Sequence, residues 1–170
     1  MKNNLKMEFS INKENHTITV KREFSAPLPL VWKAFTTSDI LDQWWAPKPW
    51  KAKTKSMDFK EGGKWLYAMV GPKGEEHWSF SKYVTIKKEE QIIATDGFSD
   101  ADGNINKEMP QSKWDTHFSS FEKNSLVVFK ITFNDSVQLE STLEMGFKDG
   151  FTMGLNNLDA YLASKKLSSI

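Results

Sequence analysis

Residues 145–162, MGFKDGFTMGLNNLDAYL, decide the architecture. Phe147, Phe151, Leu155, Leu158 and Leu162 follow one another at offsets of 4, 8, 11 and 15, so they form one continuous stripe along a helix. A stripe of that length needs an apolar partner. Gly146, Gly150 and Gly154 either interrupt the helix or let it pass close to another element. The preceding segment, Val137 to Met145, reads as a separate short helix that ends at a break near Gly146.

The partner for that stripe lies upstream, in a run of hairpins. Trp50 to Asp58, Lys64 to Val70, His77 to Ile86, Gln91 to Asp96, Lys113 to Phe121 and Leu126 to Phe133 each read as strands. Gly62-Gly63, Gly71-Pro72-Lys73-Gly74, Lys87 to Glu90 and Glu122 to Ser125 separate them as turns or bulges. Trp65, Tyr67 and Met69 share one face of their strand; Trp78, Phe80, Val84 and Ile86 are read as sharing a face of the next. Residues 97–112 form a long polar loop, of the kind that often serves as a lid or binding loop.

An earlier strand covers residues 16–24 and stops at Ser25-Ala26-Pro27. Leu28, Val31 and Phe35 then mark a short helix to about Thr36, with Pro29 at an early helical position. Ser38 is the expected N-cap of a second short helix carrying Ile40, Leu41, Trp44 and Trp45, which Pro47 and Pro49 end. Residues 1–14 are polar and are expected to be a frayed segment ahead of one domain, residues 15–170. The fold class is therefore α+β: a curved antiparallel sheet wrapped around a long C-terminal helix, with two short helices after the first strand. One helix on a curved sheet does not seal completely, and the gap is the natural place for a cavity.

Composition narrows the function. The 170 residues suit one domain, and the absence of cysteine excludes disulfides, thiolate metal sites and cysteine catalysis. Lys and Arg number 23 against 22 Asp and Glu, so no basic excess points to nucleic acid. Lys48, Lys51, Lys53 and Lys55 read as a solvated strand face. No apolar run is long enough for a signal peptide or a stable membrane insertion, and the expected location is the cytoplasm.

The distinctive feature is aromatic content, with 12 Phe, 7 Trp and 3 Tyr. Trp45, Trp65, Tyr67, Trp78, Phe98, Trp114, Phe133, Phe147 and Phe151 lie on elements that would surround the gap, with Leu155 on the helix stripe, and flat apolar walls suit a small-molecule site. Tyr67, His77, Thr116, His117 and Glu144 are candidate polar groups to orient a ligand. No catalytic residue is assigned. His16, His77 and His117 have no ligand spacing, and Asp100-Ala101-Asp102-Gly103-Asn104 departs from the calcium-loop pattern, so neither a metal nor a cofactor is expected.

Several of these segments resemble a known family: Ala26-Pro27 with Val31 to Thr36, Leu41 with Trp44 to Pro47, Asp58 with Gly62 to Trp65, Asp100 to Asn104, Met145 to Phe147, and Gly150-Phe151 with Leu155, Leu158 and Leu162. In that order they resemble the bacterial family named after the activator of heat-shock protein 90 ATPase homologue. That family belongs to the helix-grip superfamily of START domains, the birch-pollen allergen and polyketide cyclases. The resemblance implies the helix-grip fold and a cavity for a small hydrophobic or aromatic molecule, a lipid or a metabolite. Two other functions are kept beside it. One is a cyclase-, hydratase- or hydrolase-like enzyme, which would need a polar pair such as Tyr67 and His117 facing one another in the cavity. The other is an interaction module, with a chaperone partner or a second copy docking on Trp44, Trp45, Pro47, Pro49 and Trp50.

Overall fold

The computed structural model describes residues 7–168. The chain runs β1 (Met7–Asn12), β2 (Thr17–Phe24), α1 (Leu28–Thr36), α2 (Ser38–Trp44), β3 (Lys51–Met57), β4 (Lys64–Val70), β5 (Glu76–Lys87), β6 (Gln91–Ser99), β7 (Ser112–Phe121), β8 (Asn124–Phe133), α3 (Ser136–Glu144) and α4 (Phe147–Ser168). The strands form one antiparallel sheet in the order β1-β2-β8-β7-β6-β5-β4-β3. Among the described residues, no helix is long and apolar enough to cross a membrane.

One expected segment is different. Residues 7–12 do not fray: they form β1, paired with β2 from Met7↔Arg22 to Asn12↔Thr17. Met7, Phe9 and Ile11 alternate there, and Phe9 reaches across to Phe147 of α4, with ring centroids 6.4 Å apart. The cap of α2 also differs, because Thr37 rather than Ser38 takes the extended capping position. Residues 97–99 extend β6 instead of opening the long loop.

The helix stripe is buried as its spacing predicts. Leu155 and Leu158 are fully buried, with Phe151 and Leu162 nearly so. Burying a side chain of this size contributes about 1.5–3 kcal/mol. Gly146, at φ +84°, supplies the left-handed turn that separates α3 from α4.

Two contacts fix where α4 lies. At one point it crosses the end of α2 so closely that a Cβ on Gly154 would stand 3.0 Å from the Trp45 carbonyl oxygen and 3.4 Å from that of Trp44. One turn on, the Asn157 side-chain amide donates to the Ala46 carbonyl at 3.0 Å and lies 3.4 Å from that of Trp44, answering acceptors that the end of α2 leaves open. At a second point, buried Arg22 of β2 pairs with Asp159 and donates to Asn156 at 3.0 Å. Gly154→Val puts branched atoms against backbone carbonyls that cannot move independently. It should lower stability by about 2 kcal/mol, read as a lower urea midpoint; Asn157→Ala should cost about 1 kcal/mol.

Candidate functional site

Between α4 and the concave face of the sheet lies a cavity of about 470 Å³. Its walls come from Trp45, Pro47 and Trp50 after α2, Tyr67 and Met69 of β4, His77 and Ser79 of β5, and Asp96 and Phe98 of β6. Pro110, Ser112, Trp114, Ile131 and Phe133 continue them, and Thr142, Met145, Phe147, Gly150 and Phe151 close the helical side. A second, inner chamber of about 60 Å³ lies against Trp65, Ser81, Tyr83, Thr116 and Phe118. Trp45, Asp96 and Trp114 line both, so they form the partition between the two.

The aromatic walls hold one another in place. Phe151 meets Trp114, Phe129 and Trp45 edge-on at 5.5, 5.0 and 6.1 Å, and stacks on Phe147 at 5.2 Å. Trp65 stacks on Tyr67 at 4.0 Å. Each polar end is spoken for: Trp45 donates its indole N–H to the Tyr67 hydroxyl at 2.9 Å, and Trp114 donates to the Ser112 hydroxyl at 3.0 Å. Trp65 donates to the Thr54 hydroxyl at 3.0 Å, which in turn donates to Asp42 at 2.6 Å. Rings pinned at both face and edge make a preformed wall.

Of the residues expected to line the cavity, Trp45, Tyr67, Phe98, Trp114, Phe133, Phe147 and Phe151 do so. Trp65 lines only the inner chamber, and Leu155 lines neither space, being packed into the solid core. Two expectations are wrong in direction. Trp78 is on the convex face, because β5 pairs Ser79 with Tyr67 and Ser81 with Trp65, leaving Trp78 on the other side; Phe80 shares that register, but its ring packs over Gly97 and still borders the cavity. There Lys55 lies over the Trp78 ring at 5.7 Å and Lys64 over the Phe80 ring at 5.1 Å. The register shift between Tyr83 and Thr85 breaks the alternation that appeared to unite Trp78 with Ile86, which packs against the core.

His117 also points outward, with an exposed side chain 3.0 Å from Asp115 on the same strand face. The Tyr67–His117 pair required by the enzymatic reading is therefore not assembled. Glu144 is exposed, while Thr116 is buried against the inner chamber and His77 is exposed at the cavity rim beside Trp50. The surface imagined for a protein partner is broken up, since Trp44 is buried and Trp45 turns into the cavity. At Gly103 the loop after β6 lies against Leu66, while Pro110 of the same loop lines the cavity. In that loop the Asp100 carboxylate accepts bonds from Asn104 and from the Asp102 backbone N–H, which hold it below the usual carboxylate range.

The polar residue that sequence reasoning missed is Asp96. Ile92, Ala94 and Asp96 alternate on β6, so the register that buries the first two also turns the aspartate inward. That alternation was a readable signal. The Asp96 Oδ1 is shielded from solvent and has no hydrogen-bond partner among the described residues. Burial pushes its carboxyl up to about 7, against a smaller opposing effect of the Ser81 hydroxyl. The hydroxyls of Tyr67 and Tyr83 are pushed well above the ordinary tyrosine range, first by burial and then by the Asp96 charge.

A carboxyl raised on folding favours the native state most when both states are protonated. Its contribution is intact below about pH 4, is lost as pH rises, and levels off above about 7. Asp96→Asn removes that titration. The variant should match the wild type near pH 4 and exceed it in stability at pH 8 by about 2–4 kcal/mol, measured by urea unfolding at both values.

Comparison with known proteins agrees with this architecture. The family described as "Activator of Hsp90 ATPase homolog 1-like protein" matches residues 25–163. A crystal structure of a Mycobacterium smegmatis protein aligns at 25% identity over 93% of this chain and 96% of its own, with a TM-score of 0.85. A solution structure from Arthrobacter aurescens aligns at 25% identity over 92% and 91%, with a TM-score of 0.87. A Silicibacter pomeroyi protein named for the same family shares the fold at 18% identity, covering 88% and 99%, with a TM-score of 0.69. No curated protein matches the chain. With the helix-grip architecture in place and the family match spanning most of its length, the chain belongs to the Activator of Hsp90 ATPase homolog 1-like family.

Proposed function

We propose that this protein binds a small, mainly apolar or aromatic molecule between α4 and the sheet. The observation that carries this reading is the cavity of about 470 Å³ walled by pinned aromatic rings. Small-molecule sites run to roughly 300–1,000 Å³ and combine apolar walls with a few fixed polar groups. An apolar cavity of about 150 Å³ holds one benzene ring, so the space here accommodates about two or three ring-sized groups. That favours a compact metabolite over a two-chain lipid.

The edge-to-face clusters also set the shape of a good ligand. Trp114 and Phe151 stand nearly perpendicular in the same wall, so a flat molecule laid against one ring meets the other at its edge. Ser79, Ser112 and the Tyr67 hydroxyl offer hydrogen-bonding groups along one wall.

Protein-observed NMR with naphthylmethanol tests the reading. The indole N–H signals of Trp45 and Trp114 should shift in a saturable way. Trp114→Ala should weaken binding by about tenfold, a loss of about 1.4 kcal/mol. Ser79→Phe, which puts a ring into the cavity, should abolish it. Unmoved indole signals in the wild-type protein would remove the basis for this function.

A further inference from the structure

The cavity is asymmetric in charge. Among the residues lining it, Asp96 is the only Asp, Glu, Lys or Arg. The His77 side chain is exposed at the rim. A ligand bearing a carboxylate or phosphate would meet no cation on these walls, and would meet the Asp96 carboxylate instead. Rotation of that carboxyl about its broad terminal torsion exchanges its two oxygens, so the oxygen without a partner can be presented to the cavity.

Trp45 and Trp114 line both spaces together with Asp96, and Tyr67 and Phe151 line the larger one with it. Aromatic faces carry negative quadrupole potential and attract ammonium groups, most strongly where water is excluded. A buried carboxylate beside such rings completes the pair of features that a protonated amine requires: an ion partner and a polarizable cage. Ser81 of β5 and Ser112 of β7 are paired on either side of Asp96, and Tyr67 of β4 and Tyr83 of β5 interact with its charge; none of these contributes a positive charge of its own.

We propose that the molecule held in this cavity is a small aromatic amine, its protonated nitrogen paired with Asp96 and its ring set against Trp45, Trp114 and Phe151. This deepens, and rests on, the reading of the cavity as a ligand site. It also accounts for a carboxyl that burial alone disfavours as an anion, since a bound cation replaces the missing partner.

Isothermal titration at pH 8 with three probes of similar size separates the two readings: naphthylmethylamine, naphthylmethanol and naphthoate. The wild type should bind the amine about tenfold tighter than the alcohol, and the naphthoate more weakly than either. Asp96→Asn should bring the amine down to the affinity of the alcohol while leaving the alcohol unchanged, which also reports an intact cavity. If that variant binds neither, Asp96→Ser serves in its place. Alcohol or naphthoate binding as tightly as the amine, or an amine preference that survives both substitutions, overturns the amine assignment and leaves the cavity reading standing. Failure of all three probes to bind the wild type overturns both.

Discussion

The contact on which the rest of the molecule depends is the crossing of α4 over the end of α2. Two residues one turn apart create it, one by having no side chain and the other by having an amide of the right length. Gly154 lets the helix come within contact distance of the Trp44 and Trp45 carbonyls, and Asn157 donates to the carbonyls of Ala46 and Trp44. A helix normally leaves its last carbonyls to water or to a cap within its own chain segment. Here they are answered by another helix, so the end of α2 and the middle of α4 are fixed together.

That fixed crossing determines where Trp45 goes. Its backbone is held under α4 and its ring is directed toward β4, where its N–H meets the Tyr67 hydroxyl. From there the aromatic contacts propagate to Trp65, Trp114 and Phe151. The Arg22–Asp159 pair holds the same helix against β2, at the far side of the sheet. The cavity lies between these two anchors, where small residues such as Ser79 and Ser112 on the sheet leave space under the helix.

Much of this was legible in the sequence. The spacing of Phe147, Phe151, Leu155, Leu158 and Leu162 predicted the helix and the side it buries; α1 and β4 agree with their predicted limits, and α2 starts one residue earlier than expected. β1 was hidden because it is short and followed by a polar turn, and its apolar alternation is weak without the partner strand that gives it meaning. Faces were harder to read than elements. On β5 the large Trp78 looked inward by size, yet the small Ser79 and Ser81 hold the inward register, Ser79 lining the cavity and Ser81 the inner chamber. A cavity needs small residues on its floor, and apolar periodicity alone points away from them. His117 failed for the related reason that neighbouring Thr116 and Phe118 occupy the inward register. Asp96 was missed because a lone aspartate at a strand end reads as polar punctuation, although its phase with Ile92 and Ala94 said otherwise.

The pairing of β2 with β8 bears on the time course of synthesis. Thr17 finds its partner at Thr132, so the sheet cannot be completed until the last strand has been made. Such distant pairings place a fold among the slower ones. The last wall of the cavity, α4, follows later still, and until it docks the concave face is uncovered. Until α4 is made, a nascent chain of this protein therefore displays the same aromatic surface that the native state encloses, and exposed apolar surface of that kind is what makes unfinished chains prone to aggregate.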